Sequence, residues 1–229
     1  MATETLNELL MRVAMTYTGD VTSYPFNEAI QRAAQYYLDG GNEPAYIANR
    51  WYATGPVAAA SGLAVATDTV RLYPFRIRTR ITISTLMARV VTPGAGSFQL
   101  AIYANDAATG RPAGAVLART GDILSTSAAT VTADITGDNV VLQPGFYWGA
   151  TNVDATSATA LFQTLNANNA EATSIFGALT PDTASPSSST ALCTLTTPMA
   201  YNTWSTMTGA TFTEVGGITG AAHIWLKAA

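Results

Sequence analysis

Charge is what this chain has least of. Asp, Glu, Lys and Arg make up 11% of its 229 residues, and lysine occurs once, at Lys227, where an ordinary globular domain is about a quarter charged. A single cysteine, Cys193, excludes an internal disulfide and a cysteine-rich zinc site. A single histidine, His223, excludes a multi-histidine metal centre, so neither a metal nor a cofactor is expected. The formal net charge of −4 is the wrong sign for general nucleic-acid binding. No apolar run reaches the roughly 18 residues of a spanning helix. The opening Met1-Ala2-Thr3-Glu4 lacks the basic and apolar regions of a secretory signal, so neither a membrane nor a nucleic acid is an expected partner.

Apolar residues, by contrast, make up 48% of the chain, enough for a substantial core. The 41 alanines and 35 threonines favour strands with lightly charged faces. Mean hydropathy is +0.18, and neutral surfaces of this kind associate unless they are covered. Burial against copies of itself or against another subunit is therefore expected.

Two periodicities divide the chain. Thr5-Leu6-Asn7-Glu8 has the form of a capping box, followed by an apolar stripe of Leu6, Leu9, Leu10 and Val13 at helical spacing. A second start at Ser23-Tyr24-Pro25 leads into Phe26, Ile30, Ala33, Ala34, Tyr37 and Leu38, closed by Gly40-Gly41. Residues 1–45 thus read as a short helical segment. Its stripes pack either on the chain's own β-domain or, as an anchor and oligomerisation element, on another protein of an assembly.

From about Trp51 the period becomes 2. Phe75, Ile77, Thr79, Ile81 and Ile83 alternate with Arg76, Arg78, Arg80, Thr82 and Ser84, which predicts one half-buried strand with three arginines on one face. Further strands are expected near 98–104, 115–120, 130–135, 146–152, 159–164, 191–196 and 223–227, separated by Gly, Pro, Asn and Asp clusters. Residues 46–229 read as an antiparallel β-sandwich, jelly-roll-like, with a long loop around 165–190. The fold class is mainly β.

Sites of chemistry are hard to assemble. Ala222-His223-Ile224-Trp225-Leu226 places the one histidine in a strand, without the partners of a catalytic triad. Cys193 has no nearby cation and reads as an inert thiol. A glycan hydrolase would need converging carboxylates, and Asp134, Asp138 and Asp154 are the available candidates. No catalytic residue is assigned.

Arginine and aromatic placement carry more. There is no acid between Asp68 and Asp106, and no Lys or Arg between Asp122 and Leu226. Arg76, Arg78 and Arg80 therefore read as a solvated strand face, as salt-bridge partners of acids on a neighbouring strand, or as an electrostatic contact with an acidic partner subunit. Trp148 and Trp204 read as core residues, with stacking on a bacterial surface sugar as the alternative.

The stretch 98–154 resembles a β-sandwich module recurring in tailed-bacteriophage virion proteins. The resemblance rests on Ile102-Tyr103-Ala104-Asn105-Asp106, Gly110-Arg111-Pro112 with Gly114, and Leu142-Gln143-Pro144-Gly145-Phe146-Tyr147-Trp148. It covers about a quarter of the chain and implies a structural or host-recognition role without catalytic residues. The combined expectation is a non-enzymatic virion protein, a capsid decoration, head-fibre or tail-appendage subunit. It would assemble as a homo-oligomer, a trimer, against capsid or tail subunits. A carbohydrate-binding module for host attachment and a glycan hydrolase are the alternatives.

Overall fold

A computed structural model describes residues 45–55, 57–157, 159–165, 194–215 and 222–229. The helical segment expected over 1–45, with Leu6, Leu9, Leu10, Val13, Phe26, Ile30 and Tyr37, lies outside the described residues, as does most of the expected long loop. Among the described residues there is no α-helix, only a 3-10 turn at Ala155–Ser157.

Among the described residues every strand pairing is antiparallel, and the strands form two seven-stranded sheets. In the first, β1 (Trp51–Ala53), β14 (Trp225–Ala228), β4 (Ile81–Thr92), β11 (Leu161–Leu165) and β2 (Val57–Ala64) follow in that order, with β8 (Thr130–Asp134) and β9 (Val140–Leu142) also on β4. The second runs β13 (Thr213–Val215), β12 (Thr194–Pro198), β3 (Thr69–Ile77), β10 (Gly145–Val153), β5 (Ser97–Asp106) and β6 (Arg111–Arg119), with β7 (Ile123–Leu124) also on β5.

The two sheets share one apolar core, because alternate residues of each strand turn inward. Tyr73, Phe75, Phe98, Leu100 and Ile102 from the second sheet meet Ile83, Leu86, Val90, Phe162 and Leu226 from the first, with Ile224 just ahead of β14. Phe98 and Phe162 cross from one sheet to the other edge to face, 4.7 Å apart. The burial phase of β4 slips between Ile83 and Leu86, where the β14 register also jumps, from Lys227↔Thr85 to Ala228↔Ile83. An extra residue in one strand of a pair flips the inward set in this way.

The single strand expected over 75–84 is a correction. The chain leaves the second sheet at Ile77, turns through Arg78, Thr79 and Arg80, and enters the first sheet at Ile81. Alternation runs unbroken through the turn, because the inward side chains stay in one core. Pro144-Gly145 is a second crossing, joining β9 in the first sheet to β10 in the second. Pro74 is tolerated inside β3 because β12 pairs only with 69–72, so its missing N–H falls beyond that partner.

A second apolar layer covers the outward face of the second sheet. Val70, Leu72, Ala101, Tyr103, Trp148 and Ala150 lie under Met199, Trp204 and Met207 of the strap joining β12 to β13.

Candidate interaction surface

The polar groups beneath the strap are locked in place. Gln99 is 3% exposed. Its amide donates to Asp122 Oδ1 at 2.7 Å and Asn202 Oδ1 at 3.1 Å, and its carbonyl accepts the Trp204 indole N–H. The Tyr201 hydroxyl donates to the same Asp122 oxygen at 2.7 Å. Burial, then the hydrogen bond and charge of Asp122, push that phenol well above its ordinary range. The Trp148 indole donates to Asn105 Oδ1 at 2.9 Å. Trp148 and Trp204 are 3% and 6% exposed, so neither ring has a face open to a sugar. The glycan-stacking role considered for these two residues is corrected by their burial: Trp148 alternates onto an outward sheet face that the strap caps, and Trp204 is the strap residue turned down onto that face.

The three aspartates considered for hydrolysis are each engaged locally. Asp134 accepts the Thr85 hydroxyl at 2.9 Å. Asp154 accepts the amides of Ser97 at 2.8 Å and Ser157 at 2.7 Å, together with the Thr156 amide and hydroxyl. Burial pushes the Asp154 carboxyl up, but these hydrogen bonds outweigh it and hold the group below its ordinary value. Asp138 is an exposed turn residue. No three His, Cys, Asp or Glu side chains among the described residues could hold a metal ion together. His223 is buried, with Nε2 3.0 Å from the Gly55 carbonyl. Burial lowers its pKa to about 4, the Gly55 bond opposing.

Exposed chemistry collects at the end of the sheets where β3 turns into β4. Arg76, Arg78 and Arg80 are exposed there while Phe75, Ile77, Thr79 and Ile81 are buried. The Arg76 guanidinium lies 6.0 Å from the centroid of Phe146, its partner across β10, and Phe146 is 46% exposed. Exposed Val141 pairs with Thr82, two residues past Arg80. Arg50 is exposed on the segment leading into β1.

That segment is a built structure. Ile47 donates to the Tyr52 hydroxyl at 2.7 Å, and the Arg50 amide closes a turn on the Ile47 carbonyl. Asn49 takes φ 63° in that turn, a conformation asparagine tolerates better than most residues, and its amide donates to the Ala228 carbonyl at 2.8 Å. Tyr46 and Tyr52 meet edge to face at 4.6 Å. Between this loop and Arg78 is a cavity of about 450 Å³ lined by Tyr46, Ile47, Arg50, Trp51, Tyr52 and Arg78.

Arginine and aromatic groups beside exposed apolar side chains are the composition that favours protein contact. The sequence pattern finds the three arginines but misses Arg50, Phe146 and the two tyrosines. The adjacency Arg50-Trp51-Tyr52 was the available signal, and only the β1–β14 pairing carries it beside Arg78. No protein-family model matches the sequence, and no curated protein matches it.

Proposed function

We propose that this chain is a non-enzymatic structural subunit of a bacteriophage virion. It is a jelly-roll-like β-sandwich with an N-terminal helical anchor, assembling as a homotrimer on capsid or tail subunits as a decoration, head fibre or tail appendage. The observation that carries the reading is the corner at Arg76, Arg78 and Arg80, where exposed guanidiniums stand beside exposed Phe146 and Val141. Phage-module resemblance over 98–154 and the scarcity of charge support the same role. No cofactor, nucleic acid or membrane enters it.

Light scattering on the full chain after size exclusion is the test of assembly. A trimer is expected, and replacing Arg76 and Arg80 with Glu weakens either the trimer or its docking to isolated capsid or tail subunits while leaving the melting temperature within a few degrees. A monomer at high concentration that also ignores those subunits overturns the proposal. Mass spectrometry of purified particles of the encoding virus reads localisation directly: the chain is expected among the virion proteins, and its absence sinks the assignment.

A further inference from the structure

We propose that the open edge of β1, with the cavity beside it, captures an extended acidic segment of another protein by adding it as a strand. β1 ends the first sheet and, among the described residues, pairs only with β14. The Ala228 amide donates to the Arg50 carbonyl and the Thr54 amide to the Ile224 carbonyl. Even-numbered residues therefore face β14, and the alternation of an antiparallel pair turns the N–H and C=O of Trp51 and Ala53 away from it. Such an edge is a template for another chain unless something blocks it. Trp51-Tyr52-Ala53 carries no proline, lysine or bulge, and its three-residue length limits an added strand to the outward groups of Trp51 and Ala53.

The adjoining cavity supplies selectivity. Added strands draw affinity from main-chain hydrogen bonds and discrimination from pockets that take alternate side chains. This pocket has the volume of an ordinary ligand site, walls of tyrosine, tryptophan and isoleucine, and guanidiniums from Arg50 and Arg78 at its rim. No carboxylate or carboxamide side chain lines it among the described residues. A neutral sugar, whose hydroxyls need acceptors as well as donors, is poorly matched. A carboxylate flanked by apolar groups fits both the rings and the guanidiniums. Lys227, opposite Trp51 in the same sheet, adds a further positive charge beside the edge.

Capture at β1 is independent of any place in a virion, so the assembly test and this one fail separately. The probe is a fluorescent, end-capped peptide of alternating Val and Glu, titrated against the full chain by anisotropy. Binding is expected to weaken as salt rises, and at least ten-fold when lysine replaces the peptide's glutamates. Arg50→Glu is expected to weaken it at least ten-fold. So is Ala53→Pro, which removes an outward N–H while leaving the β14 bonds in place; the melting temperature of each variant shows that it has folded. Native affinity in both variants overturns the proposal. Displacement by free glucuronate at the concentration of the peptide also overturns it, making the pocket an acid-sugar site. Loss of self-association in Ala53→Pro with no peptide binding overturns it too, assigning the edge to a second copy.

Discussion

Tyr73 ties the two sheets together through its one polar atom. Its hydroxyl receives the Ile224 amide at 2.9 Å and lies 2.6 Å from Thr54 Oγ1, which donates to the Ile224 carbonyl. The ring fits because Gly149 sits opposite, where a Cβ would come 2.9 Å from two ring carbons. Tyr73→Phe leaves a buried amide unsatisfied and is expected to cost about 1–3 kcal/mol in urea unfolding. Gly149→Ala overpacks the same spot and is expected to cost a similar ~1–3 kcal/mol. Combined, the two changes should fall short of additive, because both act on one ring. His223 sets an acid limit at the same scale. Its native pKa is about 4 against ~6.5 in an unfolded chain, so the unfolded state binds the extra proton. Stability is full above pH ~6.5 and falls as pH drops toward 4, by up to about 3 kcal/mol. Replacing His223 with Gln should flatten that interval of the urea-midpoint curve against pH.

Among the elements, the strap from β12 to β13 does what a third layer would do. Its tryptophan and two methionines cover a sheet face that alternation alone would leave wet. The Met199 amide bonds to the Asp68 carbonyl and the Met207 amide to Gly114, anchoring it at both ends of the sheet. Trp204→Ala removes a large buried ring and the donor to Gln99, with an expected loss of about 3–5 kcal/mol. Hydrogen exchange separates this from global loosening. The Met207 amide should exchange much faster in the variant, while Leu100, in the core between the sheets, should stay protected under native conditions.

Among the described residues, charge is spread unevenly along the strands. Arg50, Arg76, Arg78, Arg80 and Lys227 lie toward the end where β3 turns into β4, with Asp106, Asp134 and Asp138 among them, while Asp68, Asp122 and Asp154 lie toward the other, with Arg71 and Arg89. The excess of positive charge at the β3–β4 end biases how copies or partners approach, and the bias weakens with ionic strength. Raising salt from low to about 0.5 M should therefore slow association measured by stopped-flow light scattering far more than it shifts the unfolding midpoint. Equal effects on both would place these charges inside the fold's own stability.

Local rules were enough to read several of the strands. Period-2 alternation and turn residues located β5, β8, β10 and β14 to within a few residues, and the inward set Phe75, Ile77, Thr79, Ile81 is buried as its spacing requires. The alanine-rich β2 was missed, because in Val57–Ala64 only Val57 and Leu63 rise above small residues, too few for a period to show. Alternation records only which side of the backbone faces the core, and that side does not change when a chain crosses from one sheet to the other. So the arginines could be counted from the sequence, while the corner on which they stand could not. Only tertiary structure decided that Trp148 is covered and that Trp204 is part of its cover, since the strap that carries Trp204 begins more than 50 residues beyond Trp148 in the chain. It also decided that Arg50 meets Arg78 around one cavity, because pairing between β1 and β14 joins the two ends of the described chain, and no short-range pattern encodes so distant a contact.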